Sequence, residues 1–329
     1  MTTHVLFADT TFPVASVALR SALPHATVEV IEVGDRSDER WSAEVLVPLM
    51  ARVDGAAMDR IDGLRLIQQW GAGLDGVDVA AATARNIAVG NVASKTSGNA
   101  DSVAEWCVMG ALILSRHLGE LQQAISTGAG WGAPIGQALL GRTAGIVGLG
   151  GVGQALATRL RPFGMRLIAV TRRPQLTTAS EFGLEWLAGL EDIPGLLRRS
   201  DYVFLCLPLT TGTEHIIDAA ALSLLQPTAY LVNAGRGGLV DDAALLAALN
   251  DGRLAGAALD VFAHEPLDPA SPLLRQAHVL ATPHVAGVTD ISYEATARRL
   301  ADVVQRLNIG QSLDHCVNWS DLSNRFYSI

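Results

Sequence analysis

Six residues, Gly148-Leu149-Gly150-Gly151-Val152-Gly153, constrain this chain more than any others. They spell G-x-G-x-x-G, end an apolar run from Ala144 to Gly148, and open a helical pattern from Val152 to Leu160. Each glycine has its own reason. Gly148 permits a tight turn, Gly150 lets the backbone approach a pyrophosphate, and Gly153 lets helix and strand pack closely. The helix N-terminus then presents N–H groups and positive potential to phosphate oxygens. Further strand candidates follow at βα spacing: Met165 to Val170, Tyr202 to Leu207, Ala229 to Asn233, Gly256 to Val261 and His278 to Ala281. Six such strands predict a doubly wound parallel sheet of the dinucleotide-binding kind.

A chain of 329 residues exceeds one ordinary core and predicts two domains. Before the glycine turn, shorter apolar runs (Val5 to Ala8, Val28 to Val33, Val45 to Leu49, Leu64 to Trp70, Ile87 to Val89) alternate with helix-compatible stretches, which reads as a smaller βαβ domain. The texture changes at Ser97 to Asp101. A long helical pattern then runs from Asn99 to Thr127 with a wide apolar face, and Gly128 to Gly136 breaks it. A last helix is expected from Asp290 to Leu307.

Charge and composition exclude several classes. The net charge is −9 and there is no basic stripe, which argues against nucleic acid and anionic membranes. Lys95 is the only lysine, so no phosphate-binding G-x-x-x-x-G-K-[ST] loop can be written. The three cysteines are scattered, and neither C-x-x-C nor H-E-x-x-H occurs, so no metal is expected. The N-terminus lacks a signal-peptide pattern and no apolar stretch is long enough to span a bilayer, which together predict a cytoplasmic protein.

In an open parallel sheet, ligands bind beyond the carboxyl ends of the strands. There the sequence places Arg236 between Gly235 and Gly237, Asp260 followed by Glu265, and Thr282-Pro283-His284. A hydride transfer at a hydroxy acid needs such a set. A guanidinium binds the substrate carboxylate and polarises the carbonyl. An imidazole carries the hydroxyl proton, and a carboxylate on its other nitrogen fixes the tautomer. Each residue alone has a plainer reading: Arg236 paired with Asp241 or Asp242, Glu265 on a surface loop, His284 near a turn. Their joint placement favours chemistry. His4, His25, His117, His215, His278 and His315 lack this context and read as structural or exposed.

The chain resembles the D-isomer-specific 2-hydroxyacid dehydrogenases. The matching stretches are Gly71-Ala72-Gly73-Leu74-Asp75-Gly76-Val77-Asp78, Ser102-Val103-Ala104-Glu105 and Gly148 to Gly153. They continue through Pro208-Leu209-Thr210, Asn233-Ala234-Gly235-Arg236-Gly237 with Val240-Asp241, and Leu259-Asp260-Val261-Phe262 with Glu265-Pro266, to Thr282-Pro283-His284-Val285-Ala286-Gly287. They cover most of the chain in the family's order. The resemblance implies two Rossmann-like domains: a smaller, flavodoxin-like substrate domain, 1–98 with 288–329, and a dinucleotide-binding domain, 99–287. It implies Arg236, Glu265 and His284 as catalytic residues, with Ala72, Gly73 and Leu74 joining Arg236 and His284 at the substrate. Cofactor contacts are expected from Gly148, Leu149, Gly150, Gly151, Val152 and Gly153, then Thr171, Arg172 and Arg173, then Leu207, Pro208 and Thr213. Ala234, Gly235, Arg236, Asp260, His284, Ala286 and Gly287 complete that set, with Asp260 facing the nicotinamide amide. The segment from Asn99 to Gly136, with Trp131, resembles the family's dimer contact and implies a homodimer.

Some positions depart from relatives. The Ala93 to Gly98 loop, with Lys95, is a few residues longer than usual. Gln69 and Trp70 stand where phosphoglycerate-specific relatives tend to carry a basic residue. Glu265 stands where formate dehydrogenases have Gln, and the Gly71 loop lacks the lysine expected of a phosphite enzyme. The expected activity is therefore hydride transfer between NAD(P)H and a small 2-keto or D-2-hydroxy acid of the glyoxylate/hydroxypyruvate type or bulkier. The alternative is a dinucleotide-sensing, corepressor-like binding protein on the same fold, against which the Arg236, Glu265 and His284 set speaks. No acid follows the second strand of the glycine-turn domain. Thr171-Arg172-Arg173 occupies the place where a carboxylate would bind a ribose 2′-OH, so NADP(H) is favoured over NAD(H).

Overall fold

The computed structural model describes residues 2–33, 39–128, 130–313 and 315–322. It divides into two compact units, Met1–Gly98 with Thr289–Ile329, and Asn99–Val288.

The first unit carries a five-stranded parallel sheet of β1 (His4–Phe7), β2 (Thr27–Val30), β3 (Val45–Val47), β4 (Leu66–Gln68) and β5 (Ala88–Gly90) in the order β2-β1-β3-β4-β5. That is the flavodoxin-like order. β1, β3, β4 and β5 are buried on both faces, as a parallel sheet between helices requires, whereas edge strand β2 alternates exposed and half-buried residues. Val5 and Phe7 point into one core and Leu6 into the other. The last helix, Asp290–Asn308, returns to this unit because Ala297, Leu300, Val304 and Leu307 repeat at helical spacing and join the core of Val5, Phe7 and Leu19. A separate pair of short strands, Trp41–Ser42 and Ile61–Asp62, lies outside that sheet.

The second unit holds a seven-stranded, all-parallel sheet: β6 (Thr143–Val147), β7 (Arg166–Val170), β8 (Trp186–Ala188), β9 (Tyr202–Leu205), β10 (Tyr230–Asn233), β11 (Gly256–Leu259) and β12 (Val279–Ala281). Their order is β8-β7-β6-β9-β10-β11-β12, the doubly wound order with its reversal beside β6. Ala144 and Ile146 face one core with Leu156, Leu160 and Phe204, whereas Val147 faces the other with Val203 and Leu231. The strand β8 was not expected from the sequence. It is an edge strand whose three residues are only half-buried, so it carries no strong apolar run.

The helical pattern from Asn99 to Thr127 is two helices, Asn99–Ser115 and Leu118–Thr127. Between them His117 takes a left-handed backbone, φ 51°, which ends one helix and redirects the next. The first helix lays Ala104, Cys107 and Ala111 on the sheet, and Gly110 allows the close approach. A Cβ at Gly110 would stand 2.9 Å from the Cβ of Ala258 on β11. Among the described residues no helix is long and apolar enough to cross a membrane.

Two glycine-to-alanine changes therefore have opposite expected signs. Alanine is favoured over glycine in a helix by up to about 1 kcal/mol. At exposed Gly119, where an added Cβ meets nothing within 4 Å, Gly119→Ala keeps a fraction of that gain. At Gly110 two rigid elements must separate, an overpacking cost of about 1–3 kcal/mol that exceeds the propensity gain. Urea denaturation should show a lower midpoint for Gly110→Ala and an unchanged or higher one for Gly119→Ala.

Candidate active site

The glycine turn sits at the carboxyl end of β6, where the strand order reverses. Gly148 has φ +100°, and a Cβ there would lie 2.7 Å from the Cys206 carbonyl oxygen. A Cβ at Gly153 would run into the Gly148 carbonyl, so turn and helix Gly151–Leu160 touch backbone to backbone. At Gly150 an added Cβ meets nothing within 4 Å, and the residue is exposed. The middle glycine thus leaves open space above a helix N-terminus, the shape a pyrophosphate needs. The Gly148 N–H donates to the Val170 carbonyl at 2.9 Å, which sets the end of β7 beside the turn. Thr171, half-buried, donates its N–H to Ala188 at 3.0 Å, and Arg172 and Arg173 follow it, both exposed. On the other side, after β9, Leu207 is buried. The buried Thr213 hydroxyl donates to the Pro208 carbonyl at 2.8 Å and accepts the Thr210 N–H at 2.8 Å. That hydroxyl braces its own loop.

Arg236 follows β10 on a loop clasped by Asn233, which is 1% exposed. The Asn233 amide donates to the Arg236 carbonyl at 3.0 Å and accepts the Gly235 N–H at 3.1 Å. The Arg236 guanidinium donates through Nη1 to the Gly235 carbonyl at 2.8 Å. A Cβ at Gly237 would collide with the Phe262 backbone, so the arginine loop lies directly on the segment leading to Glu265. Asp241, one of the candidate partners for Arg236, caps helix Asp242–Asn250 by accepting the Ala243 and Ala244 N–H groups.

Glu265 and His284 form the closest charged contact of the site, Nδ1 to Oε2 at 2.7 Å. Their side chains are 19% and 27% exposed, respectively. The other Glu265 oxygen accepts the Phe262 N–H at 2.8 Å. Burial pushes the Glu265 carboxyl up. The hydrogen bond and charge of His284, with the Phe262 N–H and Arg236, outweigh it and hold the carboxyl below its ordinary value. Glu265 is therefore an anion at neutral pH, able to stabilise an imidazolium.

His284 has a left-handed backbone, φ 54°, uncommon for a residue with a side chain and frequent at functional sites. Asp260, 1% exposed, holds that conformation. Its carboxylate accepts the Thr282 hydroxyl at 2.6 Å and the N–H groups of Val285 and Ala286 at 2.8 Å each, while its own carbonyl accepts the His284 N–H at 2.8 Å. Burial pushes the Asp260 carboxyl up, and these donors partly offset that. The Asp260 carboxylate thus braces the loop that carries His284. Ala286 is buried beyond it, and a Cβ at Gly287 would strike the Asn99 amide.

In the first unit, Ala72, Gly73 and Leu74 occupy the turn after β4. The Ala72 carbonyl accepts the Asn91 amide at 2.7 Å, and the Leu74 carbonyl accepts the Val77 N–H at 3.0 Å. Gln69, which stands before that turn, donates to the Leu49 carbonyl at 2.9 Å and accepts the Trp70 N–H at 2.8 Å. Lys95 is exposed on a short 3-10 turn, Ser94–Thr96.

Comparison with known proteins accords with this geometry. Residues 108–286 match the model of the D-isomer specific 2-hydroxyacid dehydrogenase NAD-binding domain. The chain is 37% identical over 264 residues to the (S)-sulfolactate dehydrogenase of Chromohalobacter salexigens, covering 80% of this chain and 83% of that protein. It is 33% identical over 283 residues to the D-3-phosphoglycerate dehydrogenase of Methanocaldococcus jannaschii, covering 85% of this chain but only 52% of that longer protein. A solved structure of the NADPH-dependent glyoxylate/hydroxypyruvate reductase of Sinorhizobium meliloti, in complex with NADP and malonate, superposes with a TM-score of 0.82 at 29% identity, covering 100% of both chains. The chain belongs to the D-isomer specific 2-hydroxyacid dehydrogenase family and is an NAD(P)-dependent 2-hydroxyacid dehydrogenase.

Proposed function

We propose that this enzyme reduces small 2-keto acids to D-2-hydroxy acids, of the glyoxylate/hydroxypyruvate type or bulkier, with NADPH preferred over NADH. The observation that carries the mechanism is the 2.7 Å contact between His284 and Glu265 beside the Arg236 loop. Reduction of a carbonyl needs a hydride at carbon and a proton at oxygen. The nicotinamide, when bound, supplies the hydride. His284 supplies the proton from Nε2, because Glu265 engages Nδ1 and so fixes which nitrogen carries it. As the proton leaves, the imidazolium becomes neutral; in the reverse direction the same nitrogen accepts the hydroxyl proton. Arg236 binds the substrate carboxylate and draws electron density towards the carbonyl oxygen. Ala72, Gly73 and Leu74 are proposed to hold the carboxylate through backbone N–H groups. The second unit takes the dinucleotide and the first the substrate.

The cofactor choice rests on Arg172 and Arg173. They are exposed at the end of β7 beside the glycine turn, with no acidic residue among Thr171, Arg172 and Arg173. A guanidinium accepts a 2′-phosphate in a forked contact that a carboxylate there would repel. The NADP held by the Sinorhizobium meliloti relative is consistent with this reading. Exposed Trp131, Ile135 and Leu140, at 90%, 91% and 74%, are assigned to a homodimer contact, and light scattering should return twice the 34.6 kDa chain mass. The cytoplasm is the proposed compartment.

One kinetic series tests the reading, with glyoxylate, hydroxypyruvate, pyruvate and bulkier 2-keto acids against both cofactors. His284→Ala and Arg236→Ala should each lower kcat/KM by about a hundredfold or more. The Arg172→Ala/Arg173→Ala double variant should lose its preference for NADPH while keeping turnover with NADH. Near wild-type turnover in either single variant would remove the assigned roles. A wild type that prefers NADH, or an NADPH preference that survives the double change, would remove the cofactor assignment.

A further inference from the structure

We propose that His117, Glu120 and His278 form a binding site for one divalent transition-metal ion, of zinc-like ligand preference, on the second unit. One ligand atom from each of the three side chains lies within 4.8 Å of the other two. The Glu120 carboxylate is 3.4 Å from His117 Nδ1 and 3.8 Å from His278 Nδ1. A tetrahedral zinc ion bound at 2.0–2.1 Å holds its ligand atoms about 3.3 Å apart. Small rotamer adjustments therefore close the set. Two imidazoles and one carboxylate leave a fourth position to water, and such nitrogen-rich sets select zinc, nickel or copper over magnesium or calcium.

The backbones that present these groups are fixed. The His278 carbonyl accepts the Ala257 N–H at 3.0 Å, which pins its residue to β11. His117 sits in its left-handed turn, with its carbonyl accepting the Leu121 N–H at 3.0 Å. Glu120 stands in the first turn of helix Leu118–Thr127. In the single chain the side chains are solvent-accessible, at 24% for His117, 45% for Glu120 and 54% for His278. The neighbouring helix N-terminus disfavours a cation, and the single Glu120 charge offsets that. The site is separate from the dehydrogenase chemistry: His278 precedes β12 and His284 follows it, so the two lie at opposite ends of the sheet. An ion here would staple helix Leu118–Thr127 to the sheet.

The test uses the untagged full chain, stripped with a chelator and titrated with zinc sulfate by calorimetry and with cobalt(II) by absorption. The expected result is one ion per chain, with a four-coordinate cobalt spectrum and a zinc-dependent rise in Tm. His278→Ala and His117→Asn should each weaken binding by about tenfold or more. Asparagine is chosen at 117 because it tolerates the left-handed backbone. Dehydrogenase kcat/KM should not change in either variant. No zinc bound at about 1 mM, or affinity equal to wild type in both variants, would overturn the proposal.

Discussion

The hydrogen bonding of the Asp260 carboxylate is the interaction on which the candidate active site of this protein depends. The carboxylate is almost wholly buried, and it accepts hydrogen bonds from Thr282, Val285 and Ala286. Those residues flank His284, whose φ of 54° is a backbone state that costs about 1–3 kcal/mol at a residue with a side chain. Three donors on one carboxylate, with the His284 N–H bound to the Asp260 carbonyl, pin the loop in that state. The result is an imidazole aimed by its backbone before any substrate arrives, with Glu265 completing its orientation from a neighbouring loop. Preorganisation of this kind is what a proton donor needs to act at a fixed distance from a reacting oxygen.

The loops meet because parallel strands end together. β10, β11 and β12 are consecutive neighbours in the sheet, so the residues that follow them converge at one edge. Glycine decides how closely the loops approach. At Gly237 there is no room for a side chain against the Phe262 backbone, and this brings the Arg236 loop onto the Glu265 segment. Two strands further along, Gly148 and Gly153 do the same for the turn that opens at Gly150. Asn233, the last residue of β10, and Asp260, the first after β11, are both 1% exposed and each clasps a loop, and neither is an ordinary core residue.

Much of this was legible in the sequence because the carrying features are local. The glycine turn, the apolar strands and the polar residues after them all lie within short windows, and fold order follows from βα alternation. Other features depend on partners distant in the chain. The bonds that Asp260 accepts from Thr282, Val285 and Ala286 are of this kind. The break at His117 is invisible to periodicity, since apolar residues continue on both sides of it. His117 and His278 read as isolated histidines, and only the fold sets both of them beside Glu120. Edge strand β8 was missed because half-burial weakens the pattern that marks a strand.

The central claim is the proposal that the Glu265 anion orients His284 for delivery of its proton to the substrate. The most direct measurement is kcat/KM for 2-keto acid reduction in wild type and in Glu265→Gln, which keeps the size of the side chain and removes its charge. Losing the carboxylate 2.7 Å from Nδ1 should lower kcat/KM by about tenfold or more in the folded variant. A Glu265→Gln variant with the kcat/KM of wild type would contradict the account.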